Sequence, residues 1–126
     1  MSEGRLPDEI SGFIERFVES VEHLEILLLL FGASEGMSAS DVFQKIQSSS
    51  ASVELRLSQL EDSRLITRDE QGTFWFNPAK ESDRAIVANL DACYRQMRVR
   101  IIEAIYSRKI DAIQTFADAF RFRRNS

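Results

Sequence analysis

Residues 38–76 read SASDVFQKIQSSSASVELRLSQLEDSRLITRDEQGTFWF. Ser38 stands before an apolar run and Asp41 follows three residues later, a variant of the capping box that opens a helix. Val42, Phe43 and Ile46 predict an inward face on that short helix, and the polar run Gln47-Ser48-Ser49-Ser50 breaks it. A second helix is expected from near Ala51 to Asp62, where Val53, Leu57 and Leu60 recur at spacings of four and three. The pattern then changes. Leu65-Ile66-Thr67-Arg68 and Thr73-Phe74-Trp75-Phe76 read as two short strands, joined by the turn Asp69-Glu70-Gln71-Gly72 with its glycine late in the loop. Trp75, between Phe74 and Phe76, reads as part of a strand with one side in the core. Asn77-Pro78 ends the second strand.

Outward from this stretch the chain is helical. Pro7 suits a first helical position, with Asp8 and Glu9 near the positive end of the dipole. Ile10, Phe13, Ile14, Phe17 and Val18 repeat at helical spacing. A second helix is expected from near Ser20 to Phe31, buried on most sides, and residues 32–36, with Gly32 and Gly36 at their ends, close it. On the far side, a long helix is predicted from after Ser82 to about Arg108, then an amphipathic one from Ile110 to Phe122. The expected class is α+β and mostly helical. Residues 1–126 form one domain in this reading, with a core at 20–78 and a C-terminal helical extension at 82–122.

Helix, short helix, tight turn, helix and two-stranded hairpin is an order that resembles the winged helix-turn-helix superfamily, most closely the small bacterial regulators of the MarR and ArsR kind. The residues that carry the likeness are Ser38 to Val42 and Ser52 to Ile66, with Arg68 to Phe76 as the wing. The resemblance implies a recognition helix at about 51–62 that enters a major groove, double-stranded DNA as partner, and a homodimer that presents two such helices to successive half-sites. Candidate DNA-binding residues are Ser49, Ser50, Ser52, Arg56, Gln59, Arg64 and Arg68. A helical projection with Val53, Leu57 and Leu60 inward leaves Ala51, Ser52, Leu55, Ser58, Gln59 and Asp62 outward. None of these is Arg or Lys, although arginine on guanine is the commonest specific base contact. Leu55 stands where the family often has a polar or basic reader, Asp69 and Glu70 make the wing tip acidic, and Arg64 replaces the usual glycine. Two readings therefore compete: a DNA-binding regulator, and a winged-helix module that binds another protein through Leu55.

The C-terminal helices add a second signal. Ile86, Leu90, Cys93, Met97, Ile101 and Ala104 form one apolar stripe, and Val99, Ile102 and Tyr106 another on the opposite side. A helix apolar on two sides needs two partners. Val99, Ile102 and Tyr106, with Leu55, are the candidate protein-interaction residues; either the final helix or a second subunit covers them.

Charge is distributed unevenly. The net charge is -4. Residues 1–36 hold two basic and eight acidic residues, 37–83 five and eight, and 84–126 nine and four. This argues against a strongly basic coat protein, yet leaves a cationic C-terminal third for a DNA backbone or an acidic partner. The longest apolar run, Ile26 to Phe31, is far short of the roughly twenty residues of a membrane helix. The N-terminus lacks the basic-then-apolar order of a secretory signal, so a cytoplasmic location is expected. His23 and Cys93 are single, without a ligand cluster at metal spacing, and no nucleophile or phosphate-loop motif occurs, so no enzyme, metal or cofactor is expected. Glu15, Glu19, Glu22 and Glu25, spaced four, three and three, suit one acidic helix face or contacts between helices better than an acid–base pair.

Overall fold

A computed structural model describes residues 6–107. Helix α1 spans Asp8–Phe17, α2 Val21–Gly32, α3 Ala39–Lys45, α4 Ser50–Asp62 and α5 Glu81–Gln96, and residues 98–107 are helical (α6). Strand β1 is Met37–Ser38, β2 Ile66–Arg68 and β3 Thr73–Phe76. The strands form an antiparallel sheet of order β1-β3-β2, with Met37 opposite Phe74 and Thr67 opposite Trp75. The mostly helical α+β winged-helix class is thus the one observed.

Local chemistry sets these boundaries. Ser38 Oγ accepts from the Asp41 amide and Asp41 Oδ2 accepts from the Ser38 amide, both at 3.1 Å, so the capping box is complete. Ser20 and Ser49 cap α2 and α4 by accepting from the amides of His23 and Ser52. α4 ends at Asp62 with Ser63 as its C-cap, and Arg64 then takes a left-handed conformation, φ 62°, that turns the chain into β2.

α2 is the central element, in contact with α4, β3 and α5. Its apolar run is buried on several sides because Leu24, Ile26, Leu27, Leu28 and Leu30 are all buried. Ile10, Phe13 and Ile14 of α1, Val42 of α3, Val53, Leu57 and Leu60 of α4, and Leu65, Ile66 and Phe74 at the sheet complete the core. Val87 and Leu90 of α5 and Ile101 and Ile105 of α6 close it from the C-terminal side.

Three details depart from the sequence reading. Two-residue β1 is a third strand, too short to leave an alternating pattern. Phe43 is exposed, because α3 is only two turns long and Val42 alone fills its inward position. The long helix predicted from 82 to 108 breaks at Met97, whose φ of -133° and ψ of 49° are not helical. Its inner stripe shifts with the break: Val87 and Ile105 are buried, whereas Ile86, Cys93 and Ala104 are only partly so. The helix expected from Ile110 to Phe122 lies outside the described residues.

Candidate nucleic-acid interface

α3 and α4 pack through Val42, Val53 and Leu57, and this contact presents the opposite side of α4 to solvent. The exposed residues there are Ser50, Ala51, Glu54, Leu55, Ser58 and Asp62. Leu55 is 53% exposed, so neither flanking helix among the described residues covers it. The first turn of α4 has no carboxylate of its own, and Ser49 and Ser50 at this end are exposed.

Ser52 and Gln59 do not share that outward face. With Arg56 they turn toward the start of α2. Glu22 accepts from Ser52 Oγ at 2.6 Å, from Arg56 Nε at 3.2 Å, and from the Ser48 hydroxyl. Glu19 accepts from Gln59 Nε2 at 2.8 Å and from Arg56 Nη1 at 3.3 Å, and Arg56 Nη1 also donates to Gln59 Oε1 at 3.0 Å. The helical projection misplaces this flank of α4 because it orients polar residues by periodicity alone. Two carboxylates on the adjoining segment recruit that flank. Their signal is in the sequence: the acidic series Glu19, Glu22, Glu25 is what crosslinks α2 to its neighbours. Glu25 completes it, accepting from Tyr94 Oη at 2.9 Å and pairing with Arg98 at 3.4 Å. Burial of Tyr94, its hydrogen bond to Glu25 and the charge of Glu25 outweigh Arg98 and push the phenol above its usual pKa.

Partial burial alone would raise the Glu22 carboxyl. The hydrogen bonds from Ser48, Ser52 and Arg56, with the charge of Arg56, outweigh that effect and hold it below the usual carboxylate range. Glu22 is therefore ionised at neutral pH, and the contact it makes with α4 is a charge-assisted one.

At the other end of α4, Arg64 is exposed. Arg68 on β2 pairs with Glu61 at 3.3 Å and lies over the Phe74 ring at 5.3 Å, yet its side chain stays 54% exposed. The wing tip is built around Asp69. Its Oδ1 accepts from the amides of Thr73 at 2.9 Å and Gln71 at 3.0 Å, and its Oδ2 from Trp75 Nε1 at 3.1 Å. The Thr73 amide first, then the Trp75 indole, lower its pKa despite a small opposing desolvation. Asp69 is thus the organiser of the turn, and Glu70 beside it is exposed at the tip. Trp75 faces away from the core side of the sheet and rests against Gly36.

Arg64 in the left-handed region carries a strain that glycine would not. Arg64→Gly is expected to raise the unfolding free energy by about 0.5–1 kcal/mol after the greater freedom of glycine in the unfolded chain is counted. Urea titration of the variant checks it; a loss of stability would mean that the Arg64 side chain itself holds the turn.

In α6, Val99 is 67% and Tyr106 55% exposed, and Ile102 is half-buried. The cations nearby are paired on the surface, Arg95 with Asp91, Arg98 with Glu25 and Arg100 with Glu103. Among the described residues no group of three His, Cys, Asp or Glu is placed to hold a metal ion, and no helix is long and apolar enough to cross a membrane.

No family model matches the chain, and no curated protein does. Among solved structures, the chain is similar to MepR, a transcription regulator of the Staphylococcus aureus multidrug efflux pump MepA. The TM-score is 0.54 at 17% sequence identity, over 90% of this chain and 86% of that one. The likeness is one of fold, and the chain has the winged-helix fold.

Proposed function

We propose that this protein is a DNA-binding transcription regulator of bacterial type, working in the cytoplasm without enzymatic activity or cofactor. One observation carries the reading. The α3–α4 helix-turn-helix and the β2–β3 wing sit in an arrangement shared, over 90% of the chain, with a known transcription regulator.

In this reading α4 enters the major groove with its N-terminal end foremost. Ser49 and Ser50, exposed at the N-terminal end of α4, meet a phosphate or a base edge. Arg64 and Arg68 hold phosphate at the far end, about 20 Å along the helix. Residues 20–78 are the DNA-reading core of a single domain. The extension at 82–122 makes the homodimer, with Val99 and Tyr106, exposed, and Ile102, half-buried, as its contact on α6. Two copies then offer two recognition helices to two half-sites.

Fluorescence anisotropy with a labelled mixed-sequence duplex at low salt tests the proposal. Arg64→Ala with Arg68→Ala is expected to weaken binding across sequences and to lower the salt slope by about 2, one unit for each phosphate left without its arginine. Binding unaffected by both changes would remove these residues from the interface.

A second reading has its own support. Leu55 lies exposed between Glu54 and Asp62 on the face of α4 that the fold turns outward. An apolar anchor rimmed by carboxylates suits a basic protein partner better than a phosphate backbone.

A further inference from the structure

Arg56 is the single basic residue of α4. Whether α4 brings any positive side chain to DNA therefore depends on where Arg56 points. It points at carboxylates. Nε is committed to Glu22 and Nη1 to Glu19 and Gln59, and only 18% of the side chain is exposed. Ser52 and Gln59, the other long or hydroxyl-bearing donors of that flank, are held by the same two acids.

The packing of α4 does not require this. Val53, Leu57 and Leu60 are buried and already seat the helix on α2 and α3. The two acids are not equally firm. The Glu19 side chain is half exposed, so its pair with Arg56 is weak and exchangeable. Glu22 is mostly covered and carries three donors, so it is the anchor.

We propose that Glu19 and Glu22 form an inhibitory latch. They occupy the donors of Arg56, Ser52 and Gln59 in place of phosphate and base edges, so that α4 contacts DNA only weakly until the latch opens. The latch rests on the DNA-binding reading above. A phosphate that takes Arg56 exchanges one anion for another at the same guanidinium, so the gain on binding is reduced by what Glu19 and Glu22 already supply.

The test compares the full chain, E19Q/E22Q and E19Q/E22Q/R56Q against the same mixed-sequence duplex at low salt. The latch predicts that E19Q/E22Q binds about tenfold tighter than the unchanged chain, and that adding R56Q removes the gain. If the double variant binds no tighter, or the triple variant keeps the gain, the latch is overturned; the second result means that loss of negative charge alone acted. If the unchanged chain binds and these predictions fail, the DNA-binding reading stands without the latch. If none of the three proteins binds, that reading falls and the latch with it. Should E19Q/E22Q fail to fold, E19Q alone removes only the half-exposed acid. It is expected to give a gain of about threefold, again lost with R56Q, and no gain there overturns the proposal.

Discussion

Leu57→Ala is expected to lower the unfolding free energy by about 2–5 kcal/mol. Leu57 is 1% exposed and belongs to the largest fully buried side chains. It lies on the face of α4 that meets α3 and α2, between Val53 and Leu60. Truncation leaves a cavity at the joint of the helix-turn-helix, where three helices would each have to move to fill it, so relaxation recovers little. The loss reaches function through geometry. α4 can be offered to a groove only while its inner face is seated. Urea titration followed by far-ultraviolet circular dichroism measures the cost. A change under about 1 kcal/mol would mean that the site collapses around the smaller side chain.

Gly36→Ala is the second large effect. A Cβ at Gly36 lies 2.6 Å from Trp75 Cε2 and 2.9 Å from Trp75 Cδ2, and it also collides with the Thr73 side chain. Relief requires the indole to move. The indole is not free to do so cheaply, since Trp75 Nε1 donates to Asp69 and Asp69 holds the wing turn through Thr73 and Gln71. The β1–β3 pairing of Met37 with Phe74 begins at the next residue. The expected cost is about 1–3 kcal/mol, the range for inserting a methyl group into a packed site. Trp75 is the chain's one tryptophan, so its emission reports the displacement directly. A red shift with lower stability is expected. Unchanged emission and stability would show that the wing yields without strain.

The parts of the fold written in local chemistry are legible in the sequence. Ser38 and Asp41 announce α3, the spacing of Val53, Leu57 and Leu60 marks the seated face of α4, and Gly72, at φ 81°, closes the hairpin as expected. β1 escapes because two residues show no period. The break at Met97 escapes because apolar residues continue across it at helical spacing, so nothing local marks the change of direction. The candidate interface is less legible. Arg64 and Arg68 are exposed as a surface contact needs, but Ser52, Arg56 and Gln59 are taken by Glu19 and Glu22, thirty or more residues away along the chain in each case. A projection of one helix cannot include an acid that arrives from another. The acidic series is visible in the sequence. Its partners are not, because they are chosen by how α2 crosses α4.

The charge pattern takes on a different meaning with these contacts in place. Much of the acidity at the start of α2 is directed at α4 and, through Glu25, at Tyr94 and Arg98. The outward face of α4 keeps Glu54 and Asp62 and no cation. Whether that surface meets DNA is therefore the central question. The salt dependence of binding to a labelled mixed-sequence duplex answers it most directly. The DNA-binding account predicts binding at low salt that weakens steeply and linearly on a log–log plot as salt rises. No binding at low salt, by a chain that is folded, would contradict it and leave the Leu55 face to a protein partner.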